Sequence, residues 1–139
     1  MRKRPVGQTS LNPVRALLLG LPISLFLGAL LSDIAYYRTY ELQWANFAAW
    51  LIAGALLLSG IFVAVALIDL FRRRPYGHPR LMFMLVAAMW ILGFFNALVH
   101  ARDGWASMPT GLILSVIVTL LALAAAWTGL FGTHRVEAS

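Results

Sequence analysis

The sequence contains no cysteine, and only 12% of its 139 residues are charged. Without cysteine, the chain has no disulfide framework, no thiolate metal site and no cysteine nucleophile. In soluble domains about a quarter of the residues are charged. This chain has half that share and is 61% hydrophobic. The composition therefore predicts a single compact integral membrane unit.

The common signatures of catalysis are also missing. The sequence has no P-loop, no His-Glu-x-x-His motif, no Gly-x-Ser-x-Gly motif and no carboxylate pair at short spacing. We expect Ser24, Ser59 and Ser115 to hydrogen-bond their own helix backbone rather than act as nucleophiles. We therefore predict no catalytic, cofactor-binding or metal-binding residue and no enzyme. The net charge of +6 does not indicate a nucleic-acid partner, because the basic residues flank the apolar runs.

Four long apolar runs occupy most of the chain, and the second, 42–68, contains no charged residue. A helix needs about 20 apolar residues to cross a hydrocarbon core of about 30 Å. The runs predict spanning helices at about 16–37, 44–70, 81–100 and 108–132, which together form one membrane domain, 16–132. Pro22 is expected in the first turns of its helix, where a missing N–H does least harm. Short links predict an all-α, up-down-up-down four-helix bundle.

Basic residues are unevenly divided between the two ends of these helices. Nine of the eleven Lys and Arg residues fall in the lead (1–15), the second link or the tail (133–139). Only Arg38 and Arg102 fall at the opposite end. Basic residues favour the cytoplasmic side of a membrane. We therefore expect a multi-pass protein of the bacterial inner membrane with a cytoplasmic lead and tail.

Small residues recur at every fourth position along the first helix. They are Ala16, Gly20, Ser24, Gly28 and Ser32. Spacing by four draws one slightly slanted line along a helix, and small side chains in lipid let a second helix approach closely. We predict that the line from Gly20 to Ser32 packs against protein. The partner is either another helix of this chain or another copy.

Ionisable residues within spanning helices are functional candidates by default. Asp33 lies near the outer end of the first helix, at a depth similar to that of Asn96 and His100, which share one face of the third. We predict an outer polar cluster of these three residues, which can relay protons near neutral pH. The alternative is a structural hydrogen bond between helices, with Asp33 solvated at the interface or paired with Arg38 or Arg102.

A second candidate site lies at the inner end, where Asp69 closes the second helix and His78 follows in the link. The simpler interpretation pairs Asp69 with Arg72 or Arg73, about one turn further on. A haem b with two histidine ligands is disfavoured, because His78 and His100 are separated by almost a whole helix, about 30 Å. We expect no cofactor, with haem b or quinone as the alternatives.

Several stretches match a known family in order and spacing. They read LPISLFLGALLSDIAYYRT, WANFAAWLIAGALLLSG, ALIDL, FFNALV and MPTGLILS followed by AAAWTG. Over residues 12–129 the chain resembles the small four-helix bacterial membrane proteins catalogued as domain of unknown function twenty-two thirty-one. That family has no established activity. Some members are fused to Rieske-type iron–sulfur domains or encoded beside quinoprotein sugar dehydrogenases, which implies a place near membrane redox chemistry.

The chain departs from the family pattern at two points. Asn12-Pro13 stands where members usually have His-Pro. The stretch 127–132 reads Trp-Thr-Gly-Leu-Phe-Gly, whereas members usually have Trp-x-Gly-Gly-Glu-Leu-Val-Tyr. Any function that depends on the family His or Glu is lost or relocated in this chain.

Two functions follow as hypotheses. The first is a non-catalytic membrane subunit or anchor of a quinone or quinoprotein dehydrogenase-type redox system, associated with a redox partner or with itself through the first helix. The second is a proton or cation pathway or transporter component that works as an oligomer and uses Asp33, Asn96, His100 and Asp69. Against the second, four helices form a small bundle, with no inverted repeat and no mid-helix break.

Overall fold

The structure, a computed structural model, describes residues 13–72, 79–102 and 104–131. Within these ranges the chain forms four long helices: α1 (Pro13–Thr39), α2 (Leu42–Phe71), α3 (Pro79–His100) and α4 (Thr110–Phe131). A 3-10 turn at Gly104–Ser107 precedes α4. All four long helices have the length and hydropathy needed to cross a membrane. The all-α four-helix architecture predicted from the apolar runs is confirmed.

The first helix begins three residues earlier than predicted. Pro13 occupies its first position, where the fixed φ suits a helix and the missing N–H is not needed. Pro22 consequently lies well inside α1 instead of in its first turns, which corrects the expectation. A proline there cannot bond the carbonyl four residues before it. Membrane helices tolerate this because neighbouring groups satisfy the freed backbone.

The other helix ends lie within two residues of the predicted ones. Only Tyr40 and Glu41 separate α1 from α2, and Tyr40 adopts a φ of 56° while its N–H bonds the Tyr36 carbonyl at 2.7 Å. This left-handed residue closes α1 as a C-terminal cap and reverses the chain at once. The α3 helix starts at Pro79. The α4 helix starts at Thr110, two residues late, because Met108 and Pro109 form a turn.

The helices form a ring in which α1 packs against α2 and α4, and α3 packs against the same two. The α1–α3 and α2–α4 pairs are therefore the diagonals of the bundle. Its core is built from apolar side chains of all four helices: Leu19, Phe26, Ala29, Ile52, Ala55, Phe62, Met82, Val86, Met89, Val118, Ala122 and Ala125. Large apolar side chains such as Trp50, 73% exposed, also cover the outside. Such a surface suits contact with lipid.

We call the end of the bundle at residues 39–42, 100–102 and 104–110 the distal end, and the end at residues 13, 71–72, 79 and 131 the proximal end. Between them, α2 and α3 are joined by a directional contact. The Trp90 indole N–H donates to the Leu56 carbonyl at 3.1 Å. A Cβ at Gly60 would lie 3.1 Å from the Trp90 Nε1, so the glycine leaves room for the indole.

Candidate functional site

Asp33 lies in α1, six residues before its end, and its side chain is completely buried. The buried residues Phe26, Ala29, Asp33 and Tyr36 follow each other at spacings of three or four. This spacing places them on one core-facing stripe of the helix. Asp33 points into the bundle because it occupies a position in that stripe. A carboxylate buried there needs hydrogen-bond partners, since an isolated buried charge is very costly.

Each carboxylate oxygen of Asp33 has a partner on a different helix. Oδ1 lies 2.8 Å from Nε2 of His100, the last residue of α3. Oδ2 accepts a hydrogen bond from the Ser115 hydroxyl on α4. Because α1 and α3 are diagonal in the bundle, the Asp33–His100 contact crosses its middle. The two side chains are 0% and 1% exposed, so the pair is shielded from bulk solvent.

The contacts of His100 constrain where its protons lie. Nδ1 is 2.9 Å from the backbone carbonyl oxygen of Asn96, which can only accept, so Nδ1 carries a hydrogen. One further proton must lie between Nε2 and the Asp33 carboxylate. It belongs either to an imidazolium–carboxylate pair or to a neutral imidazole–carboxylic acid pair. Both forms have no net charge, which reduces the cost of burying them within a membrane.

Ser115 connects Asp33 to Asn96. Its hydroxyl donates to the carboxylate, which leaves Oγ to accept from the Asn96 side-chain amide at 2.8 Å. Asn96 therefore reaches Asp33 through Ser115 and not directly. We call Asp33, Asn96, His100 and Ser115 the distal network. It joins α1, α3 and α4. Among the described residues, no α2 side chain takes part in these bonds.

The imidazole of His100 rests against the first turn of α4. A Cβ at Gly111 would lie 2.8 Å from Cε1 and 3.3 Å from Nε2 of this ring. A contact of 2.8 Å is shorter than packed side chains tolerate. Gly111 therefore provides the space that lets His100 reach Asp33.

Two polar atoms near the distal network have no hydrogen-bond partner among the described residues. They are the Tyr36 hydroxyl and the side-chain oxygen of Asn96. Both residues are at most 1% exposed, and Tyr36 is one turn from Asp33 on α1. The amide oxygen can accept a hydrogen bond, and the phenol can donate or accept one. Buried polar atoms are nearly always bonded, so two such atoms in one region need a physical explanation.

The distal network is better suited to holding a proton than to activating a nucleophile. In a Ser-His-Asp triad the imidazole accepts the serine proton. Here both His100 nitrogens are engaged by Asn96 and Asp33, and Ser115 donates to the carboxylate. His100 is for the same reason not a free axial ligand, so these residues do not fit a haem. No cluster of three His, Cys, Asp or Glu residues able to hold a metal occurs in the described ranges.

Sequence comparison agrees with this architecture. A family model described as a predicted membrane protein, DUF2231, matches residues 11–136. The chain belongs to this family. The match spans all four helices and the whole distal network, and the family description names a membrane protein without an activity. No curated protein and no solved structure matches the chain significantly.

The predicted helix-packing line of this DUF2231 chain divides into two parts. Gly20 and Ser24 are exposed, and nothing lies within 4 Å of a Cβ built on Gly20. Further along, a Cβ on Gly28 would lie 3.3 Å from Leu51 of α2, and Ser32 is buried. The distal half of the line packs within the bundle. The proximal half is exposed in the described part of the chain.

The second predicted site falls partly outside the described residues. Asp69 belongs to the last turn of α2, whereas His78 lies outside the described ranges. The inner polar site of the two residues therefore stays a prediction.

Three residues at the distal end were not predicted from the sequence as members of the site: Ser115, Gly111 and Tyr36. Ser24 and Ser59 do bond carbonyls one turn earlier in their own helices, as expected. Ser115 instead donates to Asp33, which corrects the expectation for that serine. The available signal was its spacing of four from Gly111, which puts both on one face of α4. That spacing did not reveal which helix the face meets.

Proposed function

We propose that this protein is a proton-binding component of a membrane proton or cation pathway, working together with other copies or a partner. The buried Asp33–His100 pair, with 2.8 Å between Oδ1 and Nε2, carries this proposal. Ionisable groups inside membrane bundles are costly and commonly mark proton relays. Imidazole is also the side chain that exchanges its proton most readily near neutral pH. The pair provides one exchangeable proton in a site with no net charge.

The structure of one bundle is better suited to a component of a proton pathway than to a complete pathway. On the proximal side of the distal network, the hydroxyls of Ser59, Thr119 and Thr128 donate to backbone carbonyls of their own helices. Those protons are engaged, and the surrounding core is apolar. A proton that crosses the membrane therefore needs groups from a neighbouring subunit.

The location that fits this role is the bacterial inner membrane, with both termini in the cytoplasm and the distal end outside. The uneven distribution of Lys and Arg between the two ends supports it. Reporter fusions should give a cytoplasmic signal at Arg74 and Ser139 and an external signal at Tyr40 and Gly104. An external signal at Ser139 would contradict the orientation.

Infrared titration of the protein in lipid vesicles tests proton binding. The wild type should show a carboxyl band that changes with the pH of the medium, because the pair exchanges its proton. Asp33→Asn should lack the band. Ser115→Ala keeps the carboxyl group but removes one of its hydrogen bonds, so it should shift the band. Ser59→Ala is the matched control, since that hydroxyl bonds only its own helix. Identical titrations for the wild type and both network variants would refute the proposal.

A second candidate function is a non-catalytic subunit or anchor for a redox partner of the quinone or quinoprotein dehydrogenase type. The exposed small surface at Gly20 and Ser24 supports it, because helices approach closely over such residues in lipid. Self-association through the same surface is the alternative form of this proposal.

Gly20→Leu tests that surface, with Ala53→Leu as the matched control on an exposed position of α2. The wild-type protein, purified in mild detergent, should retain a coloured redox partner or sediment as an oligomer. Gly20→Leu should lose that association, and Ala53→Leu should keep it. Equal assembly and equal thermal stability of both variants would exclude an interface at Gly20.

A further inference from the structure

The side-chain amide of Asn96 serves Ser115 and leaves its own oxygen unpaired. Its nitrogen donates to Ser115 Oγ at 2.8 Å, while its oxygen has no hydrogen-bond partner among the described residues. Asn96 is 0% exposed, so bulk water does not reach that oxygen. A buried acceptor without a donor is costly, and an amide could avoid this cost by turning over. Another group in the distal network must therefore gain from the orientation that Asn96 adopts.

The hydroxyl of Ser115 can act as a donor to only one of its two neighbours. It carries a single hydrogen, and both Oδ2 of Asp33 and the amide of Asn96 are bonded to its oxygen. If Asn96 presented its oxygen, Ser115 would have to donate to the amide, and Oδ2 of Asp33 would lose its donor. With the nitrogen presented, Ser115 accepts from Asn96 and donates to Asp33. Hydrogen bonds to a carboxylate are about twice as strong as neutral ones, which favours this direction.

Ser115 departs from the usual behaviour of a serine in a membrane helix. Such hydroxyls commonly bond the carbonyl one turn earlier, as those of Ser24 and Ser59 do. For Ser115 that acceptor would be the carbonyl of Gly111 on the same helix. The donor on α3 and the acceptor on α1 hold the hydroxyl away from this default. Without the Asn96 amide, the default bond competes with Asp33 for the same hydrogen.

The two oxygens of Asp33 consequently have different surroundings. Oδ2 faces the hydrogen of a hydroxyl that is held as a donor, whereas Oδ1 lies 2.8 Å from Nε2 of His100. A proton on Oδ2 would compete with the Ser115 hydrogen, while a proton on Oδ1 can be shared with the imidazole nitrogen. The direction of the Ser115 hydroxyl therefore decides which oxygen of Asp33 exchanges the proton.

We propose that Asn96 is a positioning residue of the proton site. Its amide keeps the Ser115 hydroxyl as a fixed donor to Oδ2 of Asp33, so that the pair gains and loses its proton at Oδ1 and at Nε2 of His100 alone. The unpaired oxygen of Asn96 is the cost of this direction. The inference rests on the proposed proton-binding function and names the residue that directs the proton within the site.

Few other titratable groups surround the distal network. The α4 helix contains none, and the only one in α2 is Asp69 in its last turn, at the proximal end. On α1, Tyr36 lies one turn from Asp33 and is buried. The remaining titratable residues described at this end are exposed: Tyr37, Arg38, Tyr40, Glu41 and Arg102. Asp103 lies outside the described residues.

Asn96→Leu tests the positioning role on the infrared band of Asp33, because Asn96 reaches the carboxyl group only through Ser115. In lipid vesicles, Asn96→Leu should shift the band in the same direction and by a similar amount as Ser115→Ala. The double variant should shift it no further, since both substitutions remove the same hydrogen bond from Asp33. Trp90→Phe is the matched control, because it removes another interhelical bond of α3 and should leave the band in place. A band at the wild-type position in Asn96→Leu, or shifts that add in the double variant, would overturn the proposal.

A second measurement does not depend on the folding of Asn96→Leu. Magnetic resonance of the protein with isotope-labelled asparagine reports the side-chain amide of Asn96, and the exposed Asn46 is the internal control. The Asn96 signal should move in step with the Asp33 band as the pH changes, and Ser115→Ala should abolish most of that response. An equal response with and without the Ser115 hydroxyl would overturn the positioning role while leaving proton binding intact.

The proposed function fails by a different result. An Asp33 band that does not change with pH would remove proton binding. The band positions in Asn96→Leu and Ser115→Ala can still be compared at a single pH in that case. Matching shifts would support the positioning role, and an unshifted band in Asn96→Leu would overturn it.

Discussion

The distal and proximal halves of the bundle are held together in different ways. In the distal half, the hydrogen bonds that link Asp33 to His100 and Ser115, and Asn96 to Ser115, join three helices around a buried centre. In the proximal half, a Cβ on Gly129 would lie 3.1 Å from both Leu19 and Met82, so contact there depends on the fit of small and large side chains. Membrane helices lack a hydrophobic driving force toward each other. Interhelical hydrogen bonds and close packing both hold such helices together, and the buried network of hydrogen bonds lies in the distal half of this chain.

The proximal half also contains a small cavity. A cavity of about 10 Å³ lies there, lined by residues that include Pro22, Ser59, Phe62 and Met89. Its only hydroxyl donates to the Ala55 carbonyl at 2.6 Å, so the lining offers no free donor. Packing of apolar side chains tolerates a cavity of this size. A missing partner is more costly in a network of charged and polar groups, because it leaves a buried polar atom unpaired.

The largest difference in stability between the two halves is expected when Asp33 is removed. Asp33→Leu leaves His100 and Ser115 without their acceptor, and breaking a buried pair from one side costs about 3–5 kcal/mol. Ser59→Ala in the proximal half should cost no more than about 1 kcal/mol, since its hydroxyl bonds only its own backbone. Reversible unfolding in detergent measures both changes in free energy. Equal losses would mean that the distal network does not hold the helices together.

The same substitution at two glycines should have opposite signs. Gly111→Ala places a Cβ 2.8 Å from the His100 ring and should destabilise the fold by about 1–3 kcal/mol, the usual cost of overpacking. Gly20→Ala meets no atom within 4 Å and should stabilise α1 by up to about 1 kcal/mol. Thermal unfolding of the two variants under identical conditions provides the comparison. A destabilised Gly20→Ala would instead indicate that this surface packs against another protein.

The smallest effect is expected at the boundary between the halves. Trp90→Phe removes the indole N–H from the Leu56 carbonyl but keeps an aromatic ring to stack on Phe94, whose centroid is 5.8 Å away. The loss should be about 1 kcal/mol, the net value of one hydrogen bond. Trp50→Phe, on the exposed surface, should change stability by less than about 0.5 kcal/mol. Indistinguishable variants would show that the indole bond does not stabilise the α2–α3 contact.

The helices were predictable because each has an uninterrupted apolar run, and this signal needs no tertiary information. The ends of the helices were less predictable. The α1 helix begins at Pro13, within a stretch whose polar and basic residues suggest a lead outside the helix. At the site, Asp33, Asn96 and His100 stood out because such residues are rare in spanning helices. The structure brings Asp33 and His100 into direct contact and connects Asn96 to them through Ser115.

Ser115 and Gly111 were not predictable for a physical reason. A serine in a membrane helix usually bonds its own backbone, and that default holds for Ser24 and Ser59. Whether a serine departs from it depends on the rotation of its helix toward a neighbour. In the folded bundle α4 turns Ser115 toward Asp33 on α1. The line of small residues along α1 could likewise be predicted from the sequence. Its division at Gly28 into an exposed part and a packed part could not, because that depends on the position of α2.

The long sequence separation within the distal network has a consequence for synthesis of the protein. Asp33 is 67 residues from His100 and 82 residues from Ser115. At about 5–20 residues per second, α1 exists for about 4 to 16 s before Ser115 is made. During that interval the carboxyl group of the first helix has none of these partners. The hairpin of α1 and α2 therefore carries a carboxyl group without its buried partners until α3 and α4 have been made.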